Sequence, residues 1–162
     1  MALEPLQRIL LYVDATDSSL TAARYAIVLA KNYDAELHAV YVINERILEE
    51  LLHARVFIDH EQSDLKHELE EDGNRYLNFI KKLSEAKGVP VQTELLRGMI
   101  QEEVIAKAEA WPADLVVMGE VEEPLTRRDC AYNEAQRILW TAKCPVLVVK
   151  GDKHIRVLYD DL

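Results

Sequence analysis

Short apolar runs alternate along this chain with stretches whose apolar residues recur at helical spacing. Ile9 to Val13 is apolar without a break, the pattern of a strand covered on both faces. Asp14-Ala15-Thr16-Asp17-Ser18-Ser19 follows, rich in side chains that cap helices. Leu20, Ala23, Ile27 and Ala30 then share one helical face, widened by Ala26 and Leu29. Leu37 to Ile43 predicts a second strand. A longer polar segment, from Asn44 to about Glu61, leads into a helix carried by Leu65, Leu69, Tyr76, Ile80 and Leu83. Gly88 and Pro90 stop it.

The third strand is expected at Val91 to Leu96, after which Gly98 turns the chain into a short helix with Val104, Ile105 and Ala108 inward. Trp111-Pro112 ends that helix. Leu115 to Met118 and Val146 to Lys150 predict the last two strands. Between them, Asn133 to Ala142 predicts a helix with Ala135, Ile138 and Leu139 on one face. Such alternation points to an α/β fold with a mostly parallel sheet. Beyond Gly151, Ile155, Val157 and Leu158 alternate loosely among charges, which suggests a further strand or arm.

The 162 residues suit one domain, long enough to bury roughly 70% of the surface of its unfolded chain. With 49% hydrophobic and 30% charged residues, a packed core is expected. A net charge of −10 disfavours nonspecific binding to nucleic acid or to anionic membranes. No apolar run approaches the roughly 20 residues of a membrane span, and the first residues lack a secretory pattern. Cys130 and Cys144 are too few for a disulfide framework. A reducing cytoplasm is the expected compartment.

Candidate chemistry concentrates after the fourth strand, where Asp114-Leu115-Val116-Val117-Met118-Gly119 delivers a loop. Glu120, Glu122 and Glu123 stand where a phosphate cradle needs glycine and open main-chain N–H groups. Neither a Walker-type nor a dinucleotide glycine motif is present. Ser18 and Ser19 have no His or Lys placed by sequence to activate them, so no catalytic residue is assigned. His53, His60 and His67 recur every seven residues, a two-turn separation of roughly 10 Å that is too wide for one shared metal. His60 with Asp64, and His67 with Glu71, have a metal-compatible spacing, but a solvated helix face is the reading favoured there. Glu68, Glu70, Glu71 and Asp72 are read the same way. Trp111 and Trp140 are expected to pack at helix ends.

From Leu6 to Lys150 the order and spacing of these pieces resembles the universal stress protein family. The most specific parts are Ile9 to Asp14, Gly98 before a helix, Asp114 to Gly119, and Cys144-Pro145-Val146-Leu147-Val148-Val149. The resemblance implies a five-stranded parallel sheet in order 3-2-1-4-5 with helices on both faces, and a small cytoplasmic homodimer that supports survival under stress. Many members bind ATP at the carboxyl ends of strands one and four, through Gly-x2-Gly-x9-Gly-Ser/Thr. Gly119 matches the first glycine; Glu122, Tyr132 and Asn133 fall on the remaining positions. Arg127 and Arg128 can offset part of the negative charge this introduces. The nucleotide-site residues implied are Asp14, Val42, Met118, Gly119 and Asn133. An Asp after strand one is also a common turn or helix cap, and a Val within strand two is also core.

These readings predict a universal stress protein domain over residues 1–150, with an extension over 151–162 that joins the dimer interface. The expected function is non-enzymatic: a homodimer paired through Val146, Leu147, Val148 and Val149, acting through contacts with an unidentified protein partner. No cofactor is required, and ATP binding is weak or absent. The alternative is an ATP-binding switch with slow or no hydrolysis. A third reading keeps the cleft for a non-phosphorylated or cationic ligand.

Overall fold

The computed structural model describes residues 6–54, 59–121 and 134–162, with 54, 59 and 60 described by their backbone alone. Glu122, Glu123, Arg127, Arg128, Cys130, Tyr132, Asn133 and the side chain of His60 lie outside the described residues.

Five strands, β1 (Arg8–Val13), β2 (Glu36–Asn44), β3 (Val91–Gly98), β4 (Leu115–Gly119) and β5 (Val146–Val149), form one sheet in the order β3-β2-β1-β4-β5. Every pairing is parallel. Leu11 is level with Ala39 on one side and Val117 on the other. Ile9, Leu10, Leu11 and Val13 are wholly buried, as an unbroken apolar run in a central strand requires.

Successive β1 side chains feed two separate cores. Ile9, Leu11 and Val13 face α1 (Asp17–Tyr33), α3 (Asp59–Glu85) and α6 (Asp152–Asp160). Leu10 and Tyr12 face α4 (Ile100–Ala110) and α5 (Glu134–Thr141), together with Val40, Val42, Val116, Met118 and Ile138. Helix α1 lies on the sheet through Ala22, Ala23, Ala26 and Ile27, all fully buried. The Thr16 hydroxyl caps its start by accepting from the Ser19 N–H, and Asp34 closes it in a left-handed conformation at φ 53°. Gly88, at φ 70°, makes the corresponding turn after α3.

The folded chain departs from the sequence reading in three places. The polar segment after β2 contains a helix, α2 (Glu45–Ala54). Asn44 starts it, its Oδ1 accepting from the N–H groups of Arg46 (3.1 Å) and Ile47 (3.3 Å). The segment after Gly151 is a helix and not a strand. Ile155 and Tyr159, four residues apart, are buried against α1 and α3, and the Tyr159 hydroxyl donates to the Leu83 carbonyl at 2.8 Å. Thr21 donates to Asp152 at 2.8 Å and fixes the helix start. Finally, Trp140 and Leu139 are not packed but 75% and 39% exposed. Helix α5 has only eight residues, and Ile138 is the apolar side chain it buries completely.

Candidate functional site

The sheet order reverses at β1, whose neighbours β2 and β4 are followed by segments leading to opposite faces. Open α/β sheets bind ligands in the crevice that such a reversal creates at the carboxyl ends of the strands. A cleft of about 200 Å³ occupies this place, lined by residues that include Tyr12, Asp14, Ser18, Met118, Gly119 and Glu120.

Asp14 closes the turn between β1 and α1. Its Oδ1 accepts from the Thr16 N–H at 2.9 Å and from the Thr16 hydroxyl, while its own N–H donates to Ser19 Oγ at 2.8 Å. This is the capping role, performed by a residue that also lines the cleft. Gly119 ends β4 directly against the start of α1. A Cβ there would lie 2.5 Å from the Ser18 carbonyl oxygen and 2.8 Å from the Ser19 nitrogen. Main chain cannot yield as a side chain can, so close packing alone requires this glycine. The Ser18 hydroxyl then donates to the Glu120 carbonyl at 3.2 Å, joining the two segments.

Met118, 1% exposed, reaches the cleft from below. Val42, 6% exposed, belongs to the same apolar cluster but does not line the cleft. Of the residues implied by sequence, Asp14, Met118 and Gly119 therefore meet in one place. Val42 stays in the core beside it, and Asn133 lies outside the described residues.

The electrostatics of the cleft are negative. Asp14 and Glu120 line it, and no Lys or Arg does among the described residues. Lys150 approaches Glu120 from outside, at 3.4 Å. Burial, followed by the charge of Asp14, raises the Tyr12 hydroxyl far above the ordinary tyrosine value. Burial pushes Tyr76 up to about 12, with the Ser19 hydrogen bond opposing and Asp14 adding to the rise. Both phenols stay protonated at neutral pH and cannot serve as bases there. Among the described residues, no group of three or more His, Cys, Asp and Glu side chains is placed to hold a metal.

Sequence reasoning passed over Tyr12, which lines the cleft, and the pairing of Arg46 with Glu134. Tyr12 puts a bulky ring, 4% exposed, on the α5 side of β1; its period-two relation to Leu10 was the available signal. Arg46, at the head of α2, approaches the buried Glu134, at the head of α5, to 3.5 Å between Nη1 and Oε1. No local spacing links those two.

A second buried group, His38 on β2, is 5% exposed and lies nearer the opposite, amino end of its strand. Its Nε2 is 3.2 Å from Glu94 Oε2, and Trp111 meets its ring edge-on at 5.2 Å between centroids. His67 pairs with Glu71 at 3.2 Å on the solvated face of α3. Cys144 is half-buried, and burial raises its thiol.

With this geometry in hand, comparison with known proteins places the chain. Residues 5–150 match the universal stress protein family. A universal stress protein of Methanocaldococcus jannaschii, MJ0531, is 38% identical over 149 residues, covering 91% of this chain and 84% of the relative. Among solved structures, the hypothetical protein MJ0577 superposes with a TM-score of 0.72 at 22% identity, covering 91% of this chain and 98% of its own. A universal stress protein in complex with cAMP superposes at 0.62 with 18% identity, covering 91% and 98%. Both structures share the fold described above. No helix among the described residues is long and apolar enough to cross a membrane. This chain belongs to the universal stress protein family.

Proposed function

We propose that this universal stress protein works without catalysis, as a cytoplasmic homodimer acting through protein contacts in the stress response, and that its crevice holds ATP weakly or not at all. The observation that carries the nucleotide half is the lining of the cleft, with two carboxylates and no described cation. A triphosphate brought beside Asp14 and Glu120 meets like charge, and each pair about 4 Å apart costs roughly 1–4 kcal/mol between bulk water and a protein surface. The main chain at Gly119 is already packed against Ser18. In sequence, Glu122 and Tyr132 replace glycines that would open the loop to phosphates. Titration calorimetry with ATP and magnesium tests this, and a Kd weaker than roughly 1 mM is expected. Micromolar binding abolished by Asp14→Ala would favour the ATP-binding switch instead. That second reading draws on the meeting of Asp14, Met118 and Gly119 in one cleft, and on a same-fold protein known in complex with cAMP.

The homodimer half rests on β5, an edge strand. Val146, Leu147 and Val148 remain half-buried in the single chain, and an apolar edge is stabilised by pairing with a symmetric copy. Leu139 and Trp140 add exposed apolar surface on α5. The segment 151–162 is proposed to extend that interface through Val157, which is 57% exposed on α6. Light scattering after size exclusion is expected to give the dimer mass at micromolar concentration; a monomer alone would remove this half.

A further inference from the structure

A second cavity, of about 340 Å³, lies between α1 and the turn from β5 into α6. It shares only Ser18 and Glu120 with the crevice. Gly151, Asp152 and Arg156 form part of its wall, and they lie beyond residue 150, where the match to the family ends. Pockets for small molecules run from roughly 300 Å³ upward, so this space suits a compact ligand.

Asp17, Thr21 and Arg24 line the cavity from α1. Steps of four and then three residues put them on one side of the helix. Arg24 is the inner group: its side chain is 15% exposed, and its Nη1 is buried without a hydrogen bond. The carboxylate nearest to it, Asp152, lies 3.6 Å away, and the same Oδ1 already accepts from the Thr21 hydroxyl at 2.8 Å. Asp152 Oδ2 meets Arg156 Nε at 2.7 Å. One carboxylate therefore serves two guanidinium groups. Lys150 is engaged by Glu120 at 3.4 Å. Asp17, the third carboxylate of the lining, has no cation of that lining as a partner among the described residues.

The lining thus leaves a cation short of acceptors at Arg24 and an anion without a partner at Asp17. Seven residues separate them, two helical turns or roughly 10 Å along the axis. Long helical side chains lean toward the helix start, which brings the guanidinium closer to Asp17 than the main chain is. A ligand with a carboxylate and an ammonium on one carbon, hydrogen-bonded at both ends, spans about 8–9 Å from partner to partner.

We infer that this cavity binds a free α-amino acid with an aliphatic side chain. Its carboxylate meets Arg24, whose planar fork matches a carboxylate, and its ammonium meets Asp17. Its side chain rests on Leu20 and Val149, the apolar part of the lining. Phosphate would satisfy Arg24 as well, but it offers no cation to Asp17 and adds negative charge beside Asp152 and Glu120. The site is independent of what the crevice holds.

Titration calorimetry with L-valine tests this, with isovalerate (no ammonium), isobutylamine (no carboxylate) and inorganic phosphate as controls. The unmodified protein should bind L-valine with a Kd below roughly 1 mM, and each control roughly tenfold more weakly or less. Arg24→Gln and Asp17→Asn should each weaken L-valine binding roughly tenfold or more, with circular dichroism confirming the fold. If Arg24→Gln does not fold, Asp17→Asn, at an exposed position, decides alone. No binding of L-valine overturns the site, as does unchanged binding in either folded variant. Isovalerate or phosphate bound as tightly as L-valine overturns the role of Asp17, and with it the assignment to an amino acid.

Discussion

On the sheet face covered by α1, α3 and α6, the buried polar side chains are hydroxyls with good partners. Ser84 donates to the Val89 carbonyl and Thr21 to Asp152, both at 2.8 Å, and Ser19 accepts from the Asp14 N–H. On the face covered by α4 and α5, the buried polar side chains are ionisable, and they are held by charge more than by directed hydrogen bonds. His38 lies 3.2 Å from Glu94, and Glu134 lies 3.5 Å from Arg46, yet Nδ1 and Nε2 of the imidazole and Oε1 of the carboxylate have no well-aligned hydrogen bond. The first face has one group of the second kind, Arg24 on α1, whose Nη1 is buried without a hydrogen bond and lies 3.6 Å from Asp152. The second face buries two ionisable side chains beside opposite charges, one of them at the start of α5.

The largest expected effect tests the first face. Ile27 is fully buried there, and Ile27→Ala should cost about 2–5 kcal/mol by urea denaturation. A loss under about 1 kcal/mol would mean that this helix–sheet contact is not close-packed. Gly119→Ala comes next. It places a methyl against the Ser18 main chain, and overpacking of this kind costs about 1–3 kcal/mol. Full stability in that variant would return Gly119 to a purely ligand-binding role. Thr16→Ala removes the α1 cap and should cost about 1 kcal/mol; an unchanged melting temperature would count against the capping turn.

The second face is sharpened by pH. Burial, then the nearby Lys107, lowers the His38 pKa, and Glu94 opposes them. The folded protein thus holds this proton less tightly than the unfolded chain does. Its contribution is complete above the unfolded value of about 6.5. It is lost as pH falls from there towards the lowered folded value. His38→Leu should flatten the decline in melting temperature between neutral and mildly acidic pH. An equal decline in both proteins would show that His38 is not the group responsible.

Much of the sheet was legible because each strand is a dense apolar run bounded by a turn or cap. The site was only partly so. Asp14 and Gly119 were found because strand ends and glycines mark themselves locally, yet the cap role of Asp14 and the packing role of Gly119 emerge only once α1 is in place. Helix α2 did carry a local signal, since Ile47, Leu48, Leu51 and Leu52 recur at helical spacing behind the Asn44 cap; it was missed because the charged residues between them made the stretch read as merely polar. Helix α6 was misread because Ile155 and Tyr159 make a single helical turn among charges. The ion pair of Arg46 with Glu134 joins the start of α2 to the start of α5, far apart in the chain, which no local pattern encodes.

The small molecules released from the purified protein on denaturation test the central claim most directly, by absorbance and mass spectrometry. An anionic, tightly packed crevice predicts that no ATP comes off. Adenosine triphosphate recovered in amounts equal to the protein would contradict it.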